Sequence, residues 1–179
     1  MSTIAAAVVG AQTPGNVGTI ARSMKNFGLS ELYLVDPPEL DRAGDAYGYA
    51  GHAREDVLPN AETVPFEYLA ENFYTVACTA IPNQDARKHT RYPFVEPAEL
   101  PEELADLHAD VCIVFGREDV GLSNEEISQL DRICSIPASD EYPVLNLAQA
   151  ATIVFYELRE IAVDTTQHPE DSHERADER

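Results

Sequence analysis

Residues 8–28 read VVGAQTPGNVGTIARSMKNFG, and the architecture of the chain follows from them. The stretch begins at the end of Ile4–Val9, an apolar run of strand length that stops at Gly10. After Pro14, the residues Val17, Ile20, Met24 and Phe27 recur at spacings of three, four and three, the stripe of an amphipathic helix. Asn16 is expected to cap that helix. Gly10 and Gly15 have the spacing of a phosphate-binding loop. However, Asn16 and Val17 stand where Lys and Ser/Thr would clamp phosphate, so that mechanism finds no support. Arg22 lies off the apolar stripe, on the side of Thr19, and leans back toward the helix N-terminus. Taken alone it reads as a solvated surface residue.

Working outward, further apolar runs occur at Leu32–Val35, Tyr74–Thr79, Val111–Phe115 and Ile133–Ile136. Helical or turn-rich stretches separate them, and no repeat of fixed period appears. Unbroken apolar strands alternating with helices predict an α/β domain, with a mainly parallel sheet and helices on both faces. The run at 111–115 breaks at Gly116, and Ser123 with Glu126 forms a capping box for the next helix. Glu118 and Asp119 then sit at the carboxyl edge of a strand, where open α/β sheets gather ligands. After Ile136, Pro137 and Pro143 bracket a loop that leads into a helix from about Asn146 to Ile161. Residues 145–158 are apolar almost all round, so this helix needs cover on more than one side. A subunit interface and central burial both remain open.

The 179 residues hold 32 Asp plus Glu against 12 Lys plus Arg, a formal charge of −20. Binding to nucleic acid normally asks for the opposite sign. The basic set is ten Arg and only two Lys, a balance that resembles salt-in halophilic archaea. At molar salt the Debye length is about 3 Å, and distant surface carboxylates barely sense an RNA. Residues 96–110 carry six acidic groups and no Lys or Arg, which predicts a solvated helix around Pro97–His108. The segment 164–179 lacks an apolar stripe and reads as a disordered tail after a domain at 1–163. Cys78, Cys112 and Cys134 lie in apolar runs without a CxxC motif, the pattern of buried thiols in a reducing cytoplasm. No apolar run approaches the roughly 20 residues of a membrane helix. No metal-ligand spacing is present.

Three ordered motifs carry a family resemblance. The first, P-x-N-x-G-x-x-x-R-x-x-x-x-F-G, runs through Pro14, Asn16, Gly18, Arg22, Phe27 and Gly28. The second is Phe115-Gly116-Arg117-Glu118 with Gly121-Leu122. The third is Ile136-Pro137, Leu145-Asn146-Leu147-Ala148 and Tyr156-Glu157-Leu158. Together they resemble the SpoU (TrmH) branch of the SPOUT RNA 2′-O-ribose methyltransferases, over roughly 4–160. Thr79-Ala80 and the basic run Arg87, Lys88, Arg91 make the chain most similar to the TrmJ-type enzymes, which act on the tRNA anticodon loop.

The resemblance implies a C-terminal trefoil knot, a homodimer and S-adenosylmethionine as methyl donor. It places the donor against Thr79, Ala80, Gly116, Ile136, Val144 and Leu145. It assigns catalysis to Arg22, Asn16, Glu118 and Asn146. Lys25, Arg87, Lys88, Arg91 and Arg117, the basic residues in or beside that site, are the expected RNA contacts. Arg22 would stabilise the developing ribose alkoxide, since a guanidinium with a pKa above about 12 is a poor base. The family commonly has Ser where this chain has Val144, so any side-chain hydrogen bond at that position is absent. Relatives carry further C-terminal sequence that helps bind RNA, which leaves a minimal enzyme and a truncated domain both open. An rRNA 2′-O-methyltransferase and a non-catalytic RNA-binding or assembly module are the alternative functions. Arg22, Lys25, Arg87, Lys88, Arg91 and Arg117 are expected to form one basic patch on an acidic dimer.

Overall fold

Strand β1 (Ile4–Val9) is the centre of a sheet because its side chains are apolar on both faces and buried on both. Ala6 and Val8 point into one core, and Ala5, Ala7 and Val9 into the other. Around it lie β2 (Leu32–Val35), β3 (Glu62–Thr63), β4 (Tyr74–Cys78), β5 (Val111–Phe115) and β6 (Arg132–Cys134). All pairings are parallel, in the order β3-β2-β1-β5-β4-β6. The computed structural model describes residues 3–80 and 93–164. The expected disordered tail and the basic run Arg87, Lys88, Arg91 therefore lie outside the described residues, apart from Asp164.

Three expected boundaries need correction. β4 ends at Cys78, one residue before Thr79, and β6 covers Arg132–Cys134 rather than 133–136. The edge strand β3 gave no apolar signal, because both of its residues are exposed. Residues 97–108 are not one solvated helix. A 3₁₀ turn at Pro97–Glu99 leads into α4 (Leu100–Ala105), and Pro97, Leu100 and Leu104 are buried.

Helices cover both faces of the sheet. On one side lie α1 (Pro14–Asn26), α4 and α6 (Leu147–Ala162), which supply Ile20, Met24, Leu104 and Phe155 to the larger core. On the other, α3 (Phe66–Asn72) supplies Leu69, and α5 (Asn124–Ser128) packs Ile127 against the smaller core. α2 (Asp45–Tyr49) and a 3₁₀ turn at Gly51–Arg54 lie across α1. Gly18 makes that crossing possible: a Cβ there would stand 1.9 Å from the Ala46 carbonyl oxygen.

Candidate active site

β1 and β5 are neighbours in the sheet but distant in sequence, so the strand order reverses between them. The loops leaving their carboxyl ends therefore diverge around a crevice, the usual ligand position in this architecture. Glu118, in the loop after β5, bridges it. Its carboxylate accepts the Gln12 and Thr13 backbone N–H groups at 2.8 and 2.9 Å, and the Asn16 side-chain amide at 3.2 Å. A carboxylate there also faces the positive end of the α1 dipole. Partial burial pushes the Glu118 carboxyl up, but the Gln12, Thr13 and Asn16 donors outweigh it, and the net shift is downward.

Asn16 is not the cap of α1. The helix begins at Pro14, whose fixed φ suits a first turn, with Thr13 in the cap position. The Asn16 side chain is instead part of a relay, because its oxygen accepts the Asn146 amide at 3.4 Å. Asn146 is itself the cap of α6, and its oxygen accepts the Ala148 and Gln149 N–H groups at 2.9 and 3.3 Å. Glu118, Asn16 and Asn146 thus join the three motif loops through side chains.

A cavity of about 270 Å³ opens at the carboxyl ends of β4, β5 and β6. Thr79 and Ala80 line it after β4, residues 116–121 after β5, Ile136 after β6, and Val144 and Leu145 before α6. Every residue that the resemblance assigns to the donor lies on its wall. The hairpin at 116–121 folds tightly because Gly116 has no side chain: a Cβ would sit 2.2 Å from the Gly121 carbonyl carbon. Arg117 and Gly121 exchange backbone hydrogen bonds of 3.2 and 3.0 Å across it. Val144 is 52% exposed at the rim.

Two of the expected buried thiols meet at this cavity, a pairing that residue type alone does not show. Cys78 and Cys134 are in register on β4 and β6, and both line the cavity. The hydrogen bond with Cys134, together with burial, pushes the Cys78 thiol well up, so its sulfur stays protonated. Cys112 is fully buried on the adjacent strand. All three are free thiols.

The expected basic patch looks different once its partners are known. Lys25 is ion-paired with Asp56, and Arg117 is paired with Glu126. Arg54, Arg132 and Arg159 also have oxygen partners, and Arg42 stacks on Tyr47. Among the described residues, Arg22 is the one Lys or Arg without a hydrogen bond, ion pair or ring contact. Its stem lies near Gly51, and it is not on the cavity wall of its own chain.

A shallow groove runs between α1 and α6, lined by Asn16, Thr19, Asn146, Gln149, Thr152 and Ile153. Ile153 and Tyr156 remain 37% and 47% exposed on α6. The gaps in the sequence reading are partners rather than motif residues. Gln12 and Thr13 act through backbone N–H groups, which leave no signature in residue type. Glu126 was legible as a capping residue, but its second role as the Arg117 partner was not. Among the described residues no group of three His, Cys, Asp or Glu is placed to hold a metal ion. No described helix is long and apolar enough to cross a membrane.

Comparison with known proteins agrees with this geometry. The family model described as the SpoU rRNA Methylase family matches residues 3–156. The tRNA (cytidine-2′-O-)-methyltransferase TrmJ of Methanocaldococcus jannaschii is 38% identical over 156 residues, which is 87% of this chain and 66% of that protein. The tRNA (cytidine/uridine-2′-O-)-methyltransferase TrmJ of Pectobacterium atrosepticum is 38% identical over 169 residues, 90% of this chain and 66% of its own length. This chain therefore spans just under two thirds of both relatives. Among solved structures, TrmJ from Z. mobilis superposes with a TM-score of 0.75 at 27% identity, covering 94% of this chain and 73% of that one. A probable methylase family protein of Haemophilus influenzae gives 0.79 at 31% identity, covering 90% and 66%.

Proposed function

The chain belongs to the SpoU rRNA methylase family, and from that premise we propose that it transfers a methyl group from S-adenosylmethionine to a ribose 2′-hydroxyl of tRNA. The observation that carries the reading is one cavity lined by the second and third motif loops, with the first motif loop tied to both through Glu118, Asn16 and Asn146. The tRNA substrate is favoured over rRNA by the TrmJ relatives, and the anticodon loop remains what the motif resemblance implies. The free thiols suit a cytoplasmic enzyme.

The cavity fits the donor. Its inner wall is apolar at Phe115, Cys134, Leu147 and Ala150, a slot for an adenine ring. Around it, Gly116, Ile136 and Leu145 bring peptide groups that can bind ring nitrogens and ribose hydroxyls. Val144 holds that place through its backbone, since its side chain sits half-exposed at the rim. Bound donor supplies an electrophilic methyl group on a sulfonium. Residues of the chain then align the nucleophile with it and exclude water. Arg22 keeps its full donor capacity for the RNA. There it stabilises negative charge growing on the 2′-oxygen, an effect that strengthens in a site closed to solvent. Asn16 and Glu118 fix the start of α1 and so the direction from which Arg22 approaches.

Arg22 and the cavity occupy different parts of one chain. The reading therefore requires a second copy that presents its Arg22 to this cavity, and the groove between α1 and α6, with Ile153 and Tyr156 exposed beside it, is the proposed contact face. A homodimer, with the third loop and α6 threaded in a trefoil knot, completes the reading. The test is calorimetry with S-adenosylhomocysteine. Saturable binding is expected, and it should be lost in Gly116→Val, where the added side chain meets the hairpin. Absence of binding by the wild type removes the enzymatic reading and leaves a non-catalytic RNA-binding module.

A further inference from the structure

Arg117 stands in the cavity wall, where a free guanidinium would suit an RNA phosphate. Its surroundings hold it elsewhere. Nη1 donates to Glu126 Oε1 at 2.8 Å and to the Gly121 carbonyl at 3.2 Å, while Nη2 donates to Glu126 Oε2 at 3.3 Å. The stem covers Gly10 so closely that a Cβ there would lie 2.7 Å from Nε. One side chain therefore touches the loop after β1, closes its own hairpin and ties both to the first turn of α5.

Glu126 is fixed in turn. Its Oε1 accepts the Ser123 N–H at 2.7 Å, and its own N–H donates to the Ser123 hydroxyl at 3.1 Å. The Arg117 and Glu126 side chains are only 29% and 15% exposed, so water competes weakly for their hydrogen bonds. The hydrogen bond to Glu126 raises the Arg117 pKa, and Arg117 with Ser123 holds Glu126 below the usual range against the opposing effect of burial. Engaging two carboxylate oxygens and a carbonyl together needs a planar fork, which Lys lacks.

We propose that Arg117 is a positioning residue for the methyl donor: paired with Glu126, it holds the hairpin 116–121 in the shape that forms one wall of the cavity. Its charge is spent inside the protein rather than on RNA. The inference rests on the reading of that cavity as the donor site.

The test uses the full chain with Arg117→Met, Arg117→Lys, Glu126→Gln and the double variant Arg117→Met/Glu126→Gln. Three quantities are measured: S-adenosylhomocysteine affinity by calorimetry, unmodified tRNA affinity across a KCl series, and exchange of the Gly121 amide hydrogen. Arg117→Met should weaken S-adenosylhomocysteine about tenfold or more, the scale of a lost charge-assisted bond. The double variant should be no worse than the single, because both remove one coupled pair. Arg117→Lys should fall between, which keeps the test usable if the Met variant folds poorly. Gly121 exchange should accelerate, and the salt dependence of tRNA binding should stay as in the wild type. Wild-type donor affinity in Arg117→Met overturns the proposal. So does a fall of about one in the salt slope for tRNA, the sign of a lost phosphate contact. Failure of the wild type itself to bind S-adenosylhomocysteine instead overturns the donor-site reading on which the proposal stands.

Discussion

Glu118→Gln isolates the group that joins the first two motif loops. Glutamine keeps the size of the side chain but offers one acceptor oxygen in place of two. Glu118 now serves the Gln12 N–H, the Thr13 N–H and the Asn16 amide. Hydrogen bonds to a charged partner contribute about 1.5–3 kcal/mol each, and a half-buried site belongs at the low end. If Gln keeps one of the three contacts, the variant loses about 2–3 kcal/mol of stability at neutral pH. The pH dependence has a definite sign. The folded-state carboxyl is shifted downward, the amide and Asn16 donors outweighing burial. Its contribution is therefore complete above the unfolded value of about 4.3 and is lost as pH falls through the lower folded value. The stability gap between wild type and Glu118→Gln should be widest near neutrality and should close in acid. Urea denaturation of both proteins at constant KCl, from about pH 7 to about pH 3, reads it directly. A gap under about 0.5 kcal/mol at neutral pH, or one that persists unchanged in acid, refutes the bridging role.

Gly18→Ala should cost about 2 kcal/mol or more, because its Cβ would stand 1.9 Å from the Ala46 carbonyl oxygen and α2 must move off α1. Thermal unfolding checks this, and an unchanged Tm would show that the helix crossing is looser than described. The charge of −20 predicts that Tm rises between about 0.1 and 2 M KCl, as the Debye length falls from about 10 Å to below 3 Å and self-repulsion is screened. A Tm that is flat or falls over that range contradicts the halophilic reading of the composition.

Strand positions were legible where apolar residues fill both faces, as in Ile4–Val9, Leu32–Val35 and Val111–Phe115, each matched to the residue. Legibility failed where a strand draws its cover from elsewhere. β3 has two exposed residues, and its place is set by pairing with Tyr33 and Leu34 rather than by its own side chains. The capping box at Ser123 and Glu126 was legible because both halves are local. The cap role expected of Asn16 was not correct: the helix already starts at Pro14, two residues before it, and contacts 102 and 130 residues away use the amide. The motif residues could be named from sequence, but their partners could not. Lys25 and Arg117 read as free cations until Asp56 and Glu126 are seen beside them. Of the six basic residues expected to form one patch, the described ones become a single unpaired guanidinium at Arg22 and two ion pairs, Lys25–Asp56 and Arg117–Glu126.

The central claim is that Arg22 acts on a ribose hydroxyl while the cavity holds the donor. Labelled methyl transfer from S-adenosylmethionine to unmodified tRNA, in high KCl, tests it in wild type and Arg22→Ala, with the product digested to nucleosides. The account predicts a 2′-O-methylated nucleoside from the wild type and a rate about 10²-fold or more lower in Arg22→Ala, with S-adenosylhomocysteine affinity unchanged. Transfer to a base, or an Arg22→Ala variant as fast as the wild type, would contradict it.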